Sequence, residues 1–143
     1  MSMELFVIMA LKDMPNTDQM NALAVKESLP IIFNAHVDMK KHTGYLPAVL
    51  NGKKSGVETY VSDYGAVSAD FPDFDSGKYE SPVVVTFRWG GDFSEMTVAM
   101  AMAYLLSENF SATTFEPQGG TFLNTEDLQQ GFKALLEHPI DGM

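Results

Sequence analysis

Cysteine is absent from the 143-residue chain, which excludes disulfide frameworks, thiolate nucleophiles and zinc–thiolate sites. Arginine and tryptophan occur once each, side by side at Arg88 and Trp89, and histidine three times. Imidazole bases for a nucleophilic triad are therefore few. No apolar run approaches the length of about 20 residues that spans a bilayer. The opening residues 1–11 lack a basic stretch and carry Glu4, so they do not read as a signal peptide, and the cytoplasm is the expected location. Basic residues are scarce, 9 against 19 acidic, for a net charge of −10. That balance repels phosphate backbones and anionic lipid, so neither nucleic acid nor membrane is an expected partner. A basic protein is the partner the charge allows, although solubility alone is the plainer explanation of it.

Catalytic and cofactor motifs are missing too. There is no G-x-S-x-G, H-E-x-x-H or G-x-G-x-x-G. Gly52-Lys53-Lys54-Ser55 lacks the upstream glycine of a phosphate-binding loop, and no cofactor is expected.

What is present is a globular composition, 45% apolar and 11% aromatic, in a length suited to one domain over residues 1–143. Glu4–Leu11 (ELFVIMAL) and Val83–Trp89 (VVVTFRW) are apolar on both alternating faces and read as central strands. Pro15–Leu29 reads as a helix stopped by Pro30, and Ile31–Val37 as a strand. Tyr45–Leu50 and Val57–Ser62 flank Asn51-Gly52 as a hairpin, whose Pro47 predicts an edge strand or a bulge. After Gly90-Gly91, Asp92 and Glu95 form the pattern of a capping box for a helix over Phe93–Leu106, apolar almost all round. Ala112–Glu116 reads as a last strand and Thr125–Glu137 as an amphipathic final helix. This order predicts an α+β domain: a mixed sheet of five or six strands with helices mainly on one face, in a ferredoxin-like core with an inserted hairpin. The second sheet face then needs the C-terminal helix or a second subunit, as in a homodimer, to cover it.

Two places stand out as candidate binding surfaces. Arg88 and Trp89 end a central strand just before a helix, where α/β proteins often place ligands. The plainer reading pairs Arg88 with Asp92 or Glu95 and leaves Trp89 closing the core. The second place is the irregular segment 63–81, in which Asp70, Asp73 and Asp75 alternate with Phe71 and Phe74. Exposed rings beside carboxylates suit a basic protein groove, whereas a merely structural segment would pin its rings to the core. His36, Asp38 and His42 are too few and too loosely related to define a metal site, and none is expected.

Phe87-Arg88-Trp89-Gly90-Gly91-Asp92, the alanine-rich helix and Phe115-Glu116-Pro117-Gln118 together resemble a group of small bacterial proteins of unknown function. That resemblance implies no activity. Small size, acidity and lack of chemistry favour a non-enzymatic interaction protein, of the immunity type that neutralises a bacterial toxin. A small-ligand domain with its site at Arg88 and Trp89 is the alternative. Carboxylate catalysis without a cofactor is the third, since 19 acids allow many chance pairs.

Overall fold

In chain order the elements are β1 (Met3–Ala10), α1 (Thr17–Lys26), β2 (Ile31–Phe33), β3 (Gly44–Leu50), β4 (Lys53–Asp63), α2 (Tyr64–Val67), β5 (Pro82–Trp89), α3 (Phe93–Phe110), β6 (Thr113–Glu116), β7 (Thr121–Leu123) and α4 (Thr125–Glu137). The computed structural model describes residues 3–71 and 74–137. Its sheet has seven strands in the order β2-β3-β4-β5-β1-β6-β7. As their two-faced patterns predict, β1 and β5 are neighbours with further strands on either side, paired from Met3–Trp89 to Ala10–Pro82.

Two features of the predicted sheet are corrected. Every strand pair among the described residues is antiparallel, so the sheet is not mixed. β1 and β4 do run the same way, as do β5 and β6, but each pair is separated by an antiparallel strand. The seventh strand, beyond the expected five or six, is β7, three residues that return from the Gly119-Gly120 turn onto β6.

α1 opens on a reciprocal capping box in which Asn16 and Gln19 exchange two hydrogen bonds of 2.8 Å. At α3, Asp92 Oδ1 accepts from Ser94 N at 2.9 Å, and the reciprocal bond expected from Glu95 is not made. The second reciprocal pair joins Asn124 and Asp127 at α4 instead. α3 runs four residues past Leu106 and ends at Ser111, which takes the left-handed conformation (φ 55°). One face of the sheet, with Leu5, Val7, Val85 and Phe87, packs against α3 and α1. α4 packs on α3 through Leu128 and Phe132, where Gly131 leaves room for Met100.

α4 therefore does not cover the second face, and no second subunit is needed over β1 and β6. The described residues of segment 63–81, expected to be irregular, form α2 and two short 3-10 turns, and its rings pack there. Phe71 meets Phe6, Tyr64 and Phe115 at ring separations of 5.3, 5.6 and 5.6 Å. Phe74 stacks on Phe122 at 5.6 Å. Tyr79 Oη donates to Ser111 O and bonds Thr113 Oγ1, both at 2.7 Å, which fixes the far end of the segment.

β3 is not the edge strand that Pro47 suggested. β2 lies outside it but ends at Phe33, opposite Ala48, so the missing N–H of Pro47 falls just past the ladder. The outer edge of β2 is closed by Asn21, whose side-chain amide both donates to Phe33 O (3.0 Å) and accepts from Phe33 N (2.7 Å).

Candidate functional site

Adjacent residues on a strand point to opposite faces, and this separates Arg88 from Trp89. Trp89 is 4% exposed on the helix-covered face. Arg88 lies on the other face, where Nη2 and Nε reach Glu4 Oε2 at 2.8 and 3.2 Å. The expected joint site is corrected accordingly, and the partner of Arg88 is Glu4 rather than Asp92 or Glu95. The aromatic members of the second candidate are structural: Phe71 is 9% exposed and Phe74 half-buried within the ring cluster. Asp75 is exposed and accepts from Gly77 N at 3.0 Å. Asp73 and the side chain of Asp70 lie outside the described residues.

The histidines are dispersed. His36 Nδ1 pairs with Asp18 at 2.8 Å, while His42 Nε2 bonds Gly44 O at 3.0 Å. Among the described residues no group of three or more such side chains is placed to hold a metal ion. Nor, among them, is any helix long and apolar enough to cross a membrane.

The face opposite the helices stays uncovered where β2, β3 and β4 lie beyond segment 63–81. Leu46, Ala48 and Leu50 alternate inward, which turns Tyr45, Pro47 and Val49 outward. Ile32 pairs across from Val49 on the same outer side. Ile32, Tyr45 and Val49 are 62, 48 and 37% exposed, half of the large exposed apolar residues among those described. These three share one sheet face rather than lying scattered singly. Here the surface is concave, a groove of about 690 Å³ lined by this row together with Lys54 and Asp92. Its shape depends on Gly56: a Cβ there would lie 2.5 Å from Leu46 O and from the Tyr45 ring, so only glycine lets the ring lie across β4.

A second groove, about 600 Å³, runs along β4, β5 and β1 between Val67 and Pro117, with Arg88, Glu4, Tyr60 and Thr86 in it. Its lining carboxylate, Glu4, is engaged by Arg88, and Glu58, paired across from Arg88, accepts from Tyr60 Oη at 2.7 Å.

Negative charge gathers between the grooves. Burial, then Asp92 and Glu58, push the Glu95 carboxyl above its ordinary 4.5. A carboxyl so raised binds its proton more tightly in the folded state. It therefore favours folding below the ordinary value and loses that contribution as pH rises through the raised one. The Glu95→Gln variant is expected to gain urea resistance over the wild type near neutral pH and to lose that advantage near pH 4. Equal differences at both pH values would mean that attraction of the ionised carboxylate to the α3 N-terminus cancels the repulsion.

Sequence reasoning passed over the outward face of β3, although its signal was present: Tyr45-Leu46-Pro47-Ala48-Val49-Leu50 is apolar on both faces. No family model matches the chain, and comparison with curated proteins and with solved structures gives no match either.

Proposed function

We propose that this chain is a non-enzymatic protein-interaction domain of the immunity type that binds a basic partner through the open face of β2–β4. The observation that carries the reading is the exposed apolar row of Ile32, Tyr45, Pro47 and Val49 on the outer face of β2 and β3. Strand addition at β2 is disfavoured by Asn21, which already occupies the Phe33 edge groups, so docking is face-on. The net charge of −10 favours a cationic partner and speeds its encounter. A cytoplasmic setting accords with the absence of cysteine.

The strand order β6-β1-β5-β4, with α1 leading out of β1 and α3 leading out of β5, supports a ferredoxin-like core. In that reading β2 and β3 are an insertion that widens the sheet, and the proposed surface lies on the insertion. The test is affinity capture from the native host at low and high salt, with the wild type and the Ile32→Ser/Val49→Ser double variant. A basic protein held by the wild type, released by salt and lost with the variant is the expected result. Identical captures by both proteins would remove the open face from consideration.

A second reading rests on the groove beside Arg88, whose volume of about 600 Å³ suits a small polar ligand. Arg88→Ala would abolish such binding while leaving capture by the β2–β4 face intact.

A further inference from the structure

The groove over β2–β4 has a composition more specific than an apolar patch. Its floor and one wall are aliphatic, from Pro47, Val49 and Ile32, and the half-exposed ring of Tyr45 lies beside them. Asp92 lines it as the only carboxylate, and Glu95 and Glu58 stand close enough to crowd one another. Lys54 lines the groove at the hairpin, directly across from Val49, with Lys53 next to it. A positive group entering from the hairpin side meets two ammonium groups, and one entering from the Tyr45 side meets carboxylates and an aromatic ring. Asp92 is committed at one oxygen to Ser94, through Oδ1.

We infer that this groove seats an aliphatic cationic side chain, a lysine or arginine of the basic partner, with its stem on Ile32, Pro47 and Val49 and its charge beside Tyr45 and Asp92. The inference rests on the interaction reading above and names the anchor residue that the open face takes. Long basic side chains bury their methylene stems against apolar surface while the charged head keeps polar contacts. An aromatic ring next to a carboxylate then holds the head by cation–π and charge-assisted bonding. Concavity argues against a second copy of the chain as occupant. Two hollows facing each other leave a void, whereas a projecting side chain fills one. The negative charge on both copies opposes that pairing as well.

The experiment is a titration of the intact protein, followed by backbone amide NMR shifts, with n-hexylammonium, 1-hexanol and hexanoate as probes. Hexylammonium is expected to bind in the millimolar range with shifts centred on Ile32, Tyr45, Val49 and Asp92. It should bind about tenfold more tightly than hexanoate, a difference of about 1.4 kcal/mol. Asp92→Asn keeps a residue able to cap α3, so the fold survives, and it should bring hexylammonium down to the affinity of hexanol. A lysine within acetyl-Ala-Lys-Ala-amide should produce the same shifts. Shifts from the free amine alone would assign the groove to a small amine and overturn the docking inference. Equal binding of hexanoate, or shifts centred elsewhere, would overturn it outright. Capture of a basic protein by the open face, with no hexylammonium binding, would sink this inference and leave the interaction reading standing. A dimer in sedimentation equilibrium that Ile32→Lys dissociates would give the groove to a second copy instead.

Discussion

Aspartate in place of Ala101 is expected to unfold the domain or bring it to the edge of unfolding. Ala101 is 0% exposed in the middle of α3, among the residues that pack α3 on the sheet. Ala99, Ala101 and Ala103 are all fully buried, on different sides of a helix that meets β4, β1 and β5 on one side and α4 on another. A carboxylate there has no cation to pair with and no water, and burying an unpaired charge costs several kcal/mol even after its proton affinity rises to neutralise it. Typical domains are stable by only about 5–15 kcal/mol. Glu108→Gln, on an exposed position of the same helix, serves as the control and should move the urea midpoint little. A midpoint for Ala101→Asp within error of the wild type would mean that α3 does not lie on the sheet as described.

That helix illustrates what a pattern can tell. Residues Val98–Leu106 are apolar in every direction, and a helix without a polar face has to be buried. The same logic located β1 and β5, because a strand apolar on both faces belongs in the middle of a covered sheet. Strand direction was less accessible. A strand–helix–strand order implies two strands running the same way, and so suggested parallel neighbours. It does not say whether another strand slips between them, which is a matter of long-range packing. β7 was invisible for a different reason: three residues are too few to carry a period.

The binding surfaces divide in a similar way. Placing Arg88 and Trp89 in one site overlooks the alternation of a strand, which sends them to opposite faces. The role of segment 63–81 is not legible, since the helical spacing of Tyr64, Phe71 and Phe74 is interrupted by Pro72 and does not extend to Tyr79. Only the position of the second face of β1 and β6 explains why those four rings gather. With that face of β1 and β6 covered, Ile32, Tyr45 and Val49 on β2 and β3 are the largest group of exposed apolar side chains among the described residues. The proposed contact surface is thus defined partly by what fails to cover it, and no local pattern records that.

Truncating Phe71 to alanine is expected to loosen one face of the protein and spare the other. The ring is the hub of the second core, touching Phe6, Tyr64 and Phe115 within 5.6 Å. Phenylalanine-to-alanine changes in cores cost about 3–5 kcal/mol through lost transfer energy and the cavity left behind. Here the lost contacts belong to a segment tied to the rest through few other anchors, chiefly Tyr79 and the Phe74–Phe122 stack. The local opening energy of the segment should therefore fall more than that of the whole domain. Limited proteolysis should cut the variant within residues 64–79 much faster than the wild type, and a dye that binds exposed apolar surface should report Phe6, Ile8 and Phe115. The single tryptophan supplies the internal control. Trp89 is buried on the opposite, helix-covered face, so its native fluorescence should stay unchanged until urea unfolds the domain as a whole. Asp75→Asn retains the acceptor for Gly77 N and should alter neither readout. If Phe71→Ala leaves proteolysis and urea midpoint as they are, the ring is not part of a core. Segment 63–81, with Asp75, Phe71 and Phe74, then returns as the recognition surface that its composition first suggested.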